Sequence, residues 1–332
     1  MKKRAILVAV ILFFAAIGGA KAQVDPHFSQ IYAYPLWLNP ALTGAFDGDA
    51  RFTANFKDQW TGITNGYQTG AVSGDIKTSE KVSLGFNVIN QVAGSANYDY
   101  FAAYGTFAYA IPVSSDGTKK LHFGLQVGFI ERNFNTGMLQ FDDQYNPLIG
   151  YDPSIASGEN FTATDAVIFD SGAGIYYDDT NAEDKVKLFG GASIYHINGA
   201  HDPFAAPGTK TALPIRFNIH GGVKIAASES LDITPNIIYV RQQQNQIRAV
   251  DIYAEFKAND GNSLILGTMY RLGDAVVAEV GYHIKSTVIG ISYDINTSPL
   301  NNATNGHGGL ELSLNYIFGS HPANSSNSSP GF

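Results

Sequence analysis

The sequence predicts an all-β chain: a transmembrane antiparallel β-barrel of about 14 strands, preceded by a short N-terminal periplasmic segment. Three observations predict it. From Arg51 onward, about fourteen segments of roughly ten residues alternate apolar with small or polar residues, and turn residues separate them. Ten residues is about the length a tilted strand needs to cross a bilayer. The longest connections all fall at one end, as in bacterial outer-membrane barrels, where strand number is even, periplasmic turns are short and outer loops are long. The chain also opens on an export signal, and no later stretch reaches the roughly 20 continuous apolar residues of a spanning helix.

The elements follow in chain order. Lys2, Lys3 and Arg4 precede the apolar run AILVAVILFFAAIGG and then Ala20-Lys21-Ala22, the three regions of a cleavable signal peptide over residues 1–22. The apolar run is short for a retained anchor. Removing Lys2, Lys3, Arg4 and Lys21 takes the net charge from −8 to −12, which argues against nucleic acid as a partner. The chain has no cysteine, so disulfides, thiolate metal sites and lipidated cysteines are excluded.

Residues 49–318 make the barrel. Its cleanest strand is LHFGLQVGFIERNF: Leu121, Phe123, Leu125, Val127 and Phe129 share one face, and His122, Gly124, Gln126, Gly128 and Arg132 the other. Similar segments start near 51, 67, 82, 98, 121, 167, 186, 213, 230, 246, 262, 274, 286 and 308. With the mature N-terminus on the periplasmic side, connections after odd-numbered strands are external. The longest, 134–166, 198–212 and 297–307, follow strands 5, 7 and 13. A secreted sandwich or propeller shares the alternation. Against it stand Tyr98, Tyr100, Tyr176, Tyr177, Tyr282 and Tyr293, which read as an interfacial girdle, and opposite faces rich in Gly, Ser and Asn, which suit a lumen. Residues 319–332, GSHPANSSNSSPGF, read as a disordered tail.

Residues 23–48 fit none of these patterns. The stretch FSQIYAYPLWLNPALTG (28–44) carries no charge, does not alternate, and is broken by Pro35 and Pro40. Asp25-Pro26 predicts a short helix over 26–34 with Asp25 as its cap, ending at Pro35; Asn39-Pro40 starts a second turn that Gly44 closes. Placed before the first strand on the periplasmic side, the segment has three readings: a plug in the barrel mouth, a docking element for a periplasmic partner, or a strap beneath the barrel. The residues singled out for plugging or partner binding are Phe28, Ser29, Gln30, Tyr32, Trp37, Asn39, Pro40 and Gly44.

These residues also carry a likeness. Gln23, Asp25, Pro26, Phe28, Ser29 and Gln30, then Asn39, Pro40, Ala41 and Gly44, resemble the opening signature of the PorP/SprF family of type IX secretion outer-membrane proteins of Bacteroidetes. The stretches LGFNVINQVAG (84–94), LQFDDQYNP (139–147), GTMYRLGDAVVAEVGY (267–282) and GGLELSLNYIF (308–318) are similar as well. The chain departs from the signature by Val24 before Asp25 and by its Ser/Asn tail. The resemblance implies a non-enzymatic barrel in the outer membrane that aids export and surface attachment of a secreted protein with a type IX C-terminal domain, such as a gliding adhesin. It implies type IX components of the outer membrane and periplasm as further partners beside the lipid bilayer. A diffusion porin or small-ligand transporter is the alternative.

Chemistry-bearing motifs are sparse. H-E-x-x-H, G-x-S-x-G and the phosphate-binding G-x-x-x-x-G-K-[ST] are all missing, and the eight histidines show no metal-ligand spacing, so no catalytic residue, metal or cofactor is predicted. A Ser/His pair assembled across strands, making a membrane hydrolase, is a disfavoured third class. His122, His196 and His283 point to the lumen. Arg51, Glu131, Arg132, Arg216, Arg241, Asp251, Glu255 and Glu279 read as a lumenal ion network or a selectivity lining, since a charge facing lipid costs about 2–4 kcal/mol at the midplane. The loop FDDQYNP (141–147) supplies the candidate external contact, Phe141, Asp142, Asp143 and Tyr145; Asp142 and Asp143 with Asp152 could bind calcium, since hard cations take several oxygens, although acidic loops are more often just solvated.

Overall fold

The structure, a computed structural model, describes residues 25–60, 66–146, 148–159, 161, 163–202, 204, 212–258 and 261–319. The signal peptide and most of the tail lie outside the described residues. Fourteen strands form one closed sheet: β1 (Ala50–Gln59), β2 (Tyr67–Lys77), β3 (Val82–Ala93), β4 (Tyr98–Pro112), β5 (Lys119–Asn133), β6 (Asp165–Asp179), β7 (Val186–Tyr195), β8 (Arg216–Ser228), β9 (Leu231–Gln242), β10 (Asn245–Lys257), β11 (Asn262–Arg271), β12 (Ala275–Ile284), β13 (Thr287–Asn296) and β14 (His307–Phe318). Each strand pairs antiparallel with the next, and β1 closes on β14 from Ala50↔Phe318 to Gln59↔Gly309. Closure leaves no unpaired edge, the condition for crossing lipid with strands.

The alternation sets which side chains meet lipid. On β5, Phe123, Leu125, Val127 and Phe129 are exposed on the outer wall, and His122, Gln126 and Arg132 are buried inside. The connections 134–164, 196–215 and 297–306 gather at one end, the long-loop end; 78–81, 113–118, 180–185, 229–230, 258–261 and 285–286 lie at the other, the short-turn end.

Period two also corrects several assignments. Tyr100 and Tyr176 are buried inside the barrel rather than in the girdle, and Tyr98 packs against the same interior cluster as Tyr100; Tyr282 and Tyr293 do face outward. Glu131 shares the outward phase of Phe129, and Arg241 is exposed, its Nε donating to the Gln243 carbonyl at 3.1 Å. Neither is lumenal. Both sit within two residues of a strand's long-loop end, where an outward charge costs only about 0–1 kcal/mol.

Residues 25–46 lie inside the barrel, not beneath it. The helix expected over 26–34 does not form. Asp25 is not a cap, because its carboxylate is engaged by the wall. A 3₁₀ turn (Ile31–Ala33) is followed by a four-residue α-helix (Pro35–Leu38) that Pro35 opens rather than ends. The Asn39-Pro40 start does form: the Asn39 side chain accepts from Ala41 N ahead of a 3₁₀ turn (Pro40–Leu42), and Gly44 takes φ +78°.

Candidate functional site: the lumenal segment and its anchors

The segment runs from the long-loop end, where Asp25 sits, to the short-turn end, where Phe46 meets Arg51 and Lys77. It is held at three levels. At the top, Asp25 Oδ2 lies 2.9 Å from Arg216 Nη1 and 2.9 Å from His196 Nε2, and Asp25 N donates to Gln242 Oε1 at 2.9 Å. His196 Nδ1 stands 2.9 Å from Asp170 Oδ1, so both ring nitrogens face carboxylates and both must donate. That makes it an imidazolium. Burial alone would disfavour its charge, but Asp25 and Asp170 raise its pKa to about 9. Burial likewise opposes ionisation of Asp25, yet His196 and Arg216 hold its carboxyl well below the usual range. The Arg216 guanidinium stacks 4.5 Å from the Trp37 ring and 4.0 Å from that of Tyr195.

The middle level is an ion clamp on Ser29 and Gln30. Their backbone N–H groups donate to Glu311 at 2.6 and 3.1 Å. Ser29 Oγ donates to Asp294 at 2.8 Å and accepts from Lys57 Nζ and Arg271 Nη1, each at 2.7 Å. Gln30 Oε1 accepts from Ser313 Oγ at 2.7 Å. Lys57, Asp294 and Glu311 are almost entirely buried, so with Arg271 two cations and two anions converge on this part of the segment.

The lower level is close approach. Asn39 Nδ2 donates to the Ile175 carbonyl at 3.0 Å, and Leu38 O accepts from Ser193 Oγ and Asn218 Nδ2. Glycines make room: a Cβ at Gly124 would collide with the backbone of Pro40 and Ala41, and one at Gly174 with the Asn39 carboxamide. Gly44 N donates to Asp75 Oδ2 at 2.7 Å, and Arg51 pairs with that same carboxylate at 2.8 Å. Apolar faces fill the rest. Phe28, Tyr34 and Trp37 pack with Ile89, Tyr104 and Ile130; Tyr32, Leu38 and Leu42 pack with Phe189, Ile238 and Met269.

All eight residues singled out in the segment are thus buried and brought together. Sequence reasoning missed their wall partners Lys57, Asp170, Arg271, Asp294 and Glu311. The usable sign was there: each falls in the inward phase of its strand, where a lone charge demands a partner. In the outer loop, the Phe141 and Phe161 rings lie tilted with centroids 6.0 Å apart, Asp142 is exposed, Asp143 accepts from Gly158 N at 2.6 Å, and Tyr145 is exposed beside Tyr151. Asp152 accepts from its neighbour Ser154, and among the described residues no three carboxylate or imidazole groups converge as a cation site.

Three comparisons bear on this architecture. A family model described as type IX secretion system membrane protein PorP/SprF matches residues 20–316. No curated protein matches significantly. Among solved structures, the toluene transporter TbuX of Ralstonia pickettii is similar, with TM-score 0.52 and 12% identity over 92% of this chain and 97% of that one. The Pseudomonas putida toluene transporter TodX has TM-score 0.47 and 14% identity, covering 88% of this chain and 94% of its own. At such identity the TbuX match speaks for the barrel fold alone.

Proposed function

Because the chain belongs to the PorP/SprF family of type IX secretion system membrane proteins, we propose that it is an occluded outer-membrane barrel that aids export of a secreted protein and holds it at the cell surface. In this reading the long-loop end faces outward and the short-turn end the periplasm. The partner carries a type IX C-terminal domain, as a gliding adhesin does, and further secretion components sit beside the barrel in the outer membrane and periplasm.

The observation that supports it best is residues 25–46, buried in the lumen and bonded to wall residues from β1 round to β14. A diffusion porin needs an open, polar bore. Here the bore holds the chain's own aromatic and ion-paired segment, which favours a scaffold for a partner over a path for solutes. Conductance in planar bilayers tests this. The intact mature chain should stay largely closed and co-purify with one exported protein. Deleting 25–46 should open long-lived steps. Steady porin-like conductance from the intact chain, with no exported protein attached, would overturn the reading in favour of a porin.

A further inference from the structure

The described part of the loop after β5 includes a small hairpin. Tyr145–Asn146 pairs with Gly150–Tyr151, and between them Leu148 is 92% exposed and Ile149 68% exposed. Leu148 is more open than any apolar side chain on the lipid-facing wall, where Val167 reaches 68%. The tip is not a loose end. The Tyr145 and Tyr151 rings lie 5.8 Å apart, Asn146 Oδ1 accepts from Leu148 N at 2.9 Å, and Gly150 takes φ +81°. Buried Gln144 ties the base: its Nε2 donates to the Ile155 carbonyl at 2.8 Å, and its carbonyl accepts from Asp152 N at 2.9 Å. Phe134, Phe141, Phe161 and Phe204 support the loop from below, with ring centroids 5.4 to 6.0 Å apart.

Lipid does not explain two bare aliphatics here. Along β5 and β6 the outward face turns polar before the loop begins, at Glu131 and Asp165, so the tip stands beyond the apolar band. The loop itself, 134–164, carries Asp142, Asp143, Asp152 and Glu159 and no Lys or Arg. Four like charges and no cation in the loop that carries the apolar tip oppose approach to anionic lipopolysaccharide and favour a cationic counterpart. An exposed apolar pair held by a hydrogen-bonded hairpin, in a loop of one charge sign, suits a contact with an apolar centre and a polar surround.

We propose that the Leu148–Ile149 tip is the outer docking knob of this protein and that it enters an apolar pocket rimmed by Lys or Arg on an exported protein. This rests on the secretion reading above and deepens it. It shifts the contact from Phe141, which serves the scaffold, to the two residues beyond it.

The test uses the full chain in living cells, with a photo-crosslinking amino acid at position 148 and, as control, at position 116 in a short turn of the opposite end. A cross-link at 148, but not 116, to an exported protein is expected. That protein is then followed quantitatively in Leu148→Ser/Ile149→Ser. Its surface-retained fraction should fall roughly tenfold or more while total export is unchanged. Heat-modifiable migration checks that the variant barrel still folds. Asp142→Asn/Glu159→Gln, which spares the loop's internal hydrogen bonds, should weaken retention and flatten its salt dependence. Cross-links to lipopolysaccharide alone, or unchanged retention in the serine variant, would overturn the knob and leave the secretion reading standing. Absence of any exported partner even for the unaltered chain would overturn that reading itself.

Discussion

Replacing Lys57 with Met removes one of the two cations that face the buried carboxylates Asp294 and Glu311. Lys57 Nζ lies 2.7 Å from Ser29 Oγ, 3.3 Å from Asp294 and 3.9 Å from Glu311, and its side chain is 1% exposed. Met keeps most of the volume, so the change is chiefly one of charge. Arg271 would then face both carboxylates, and it is already shared with Asp274. Breaking a buried pair in this way costs about 3–5 kcal/mol. The backbone ladder from β1 to β14 does not involve the ammonium group, so the loss should fall on the lumenal segment rather than on barrel closure. On that attachment it is worth a factor of about 10² to several 10³. The assay is limited proteolysis of residues 25–46 together with single-channel recording. Lys57→Met should raise both cleavage and opening frequency, with heat-modifiable migration unchanged. Lys57→Met/Glu311→Gln restores the charge balance and keeps an oxygen for one of the Ser29 and Gln30 N–H groups, so it should recover part of the closure. If the single variant stays as closed as the parent, or the double variant is no better than the single, the clamp does not hold the segment.

The upper anchor should respond to base and not to mild acid. A group whose pKa folding raises contributes stability that is complete below its unfolded value, about 6.5 for His, and is lost as pH rises through the folded value, here about 9. Asp25 is shifted down, so its contribution would fail only in strong acid. Opening frequency should therefore be flat below about pH 6, climb progressively between about 6.5 and 9 and level off above that, and His196→Gln should abolish the climb. At the lower level, Gly124→Ala places a methyl group against the Pro40–Ala41 backbone, an overpacking cost of about 1–3 kcal/mol. It should loosen 39–46 to protease while Gly105→Ala, an outward position with open space, changes nothing.

Much of the barrel was legible because its rule is local. Each strand on β5's pattern must turn every second residue to lipid, so strand number and the gathering of long loops at one end could be read from neighbours two apart. The same rule, applied one residue out of phase, misplaced Tyr100, Tyr176, Glu131 and Arg241. The opening segment was legible as an anomaly only. Its missing charges and two prolines said that it was neither strand nor long helix, and Asn39-Pro40 marked a turn that does form.

By itself, then, the sequence determined a period-two wall with a lipid side and a lumenal side, and an apolar segment needing cover. Only the tertiary structure decided what covers it. Ser29 meets Glu311 across 282 residues and Asp25 meets Arg216 across 191, contacts that exist only once the sheet closes on itself. A local pattern can state that a charge must be paired; which pair it joins depends on the circumference of the closed barrel, which no window of the chain contains.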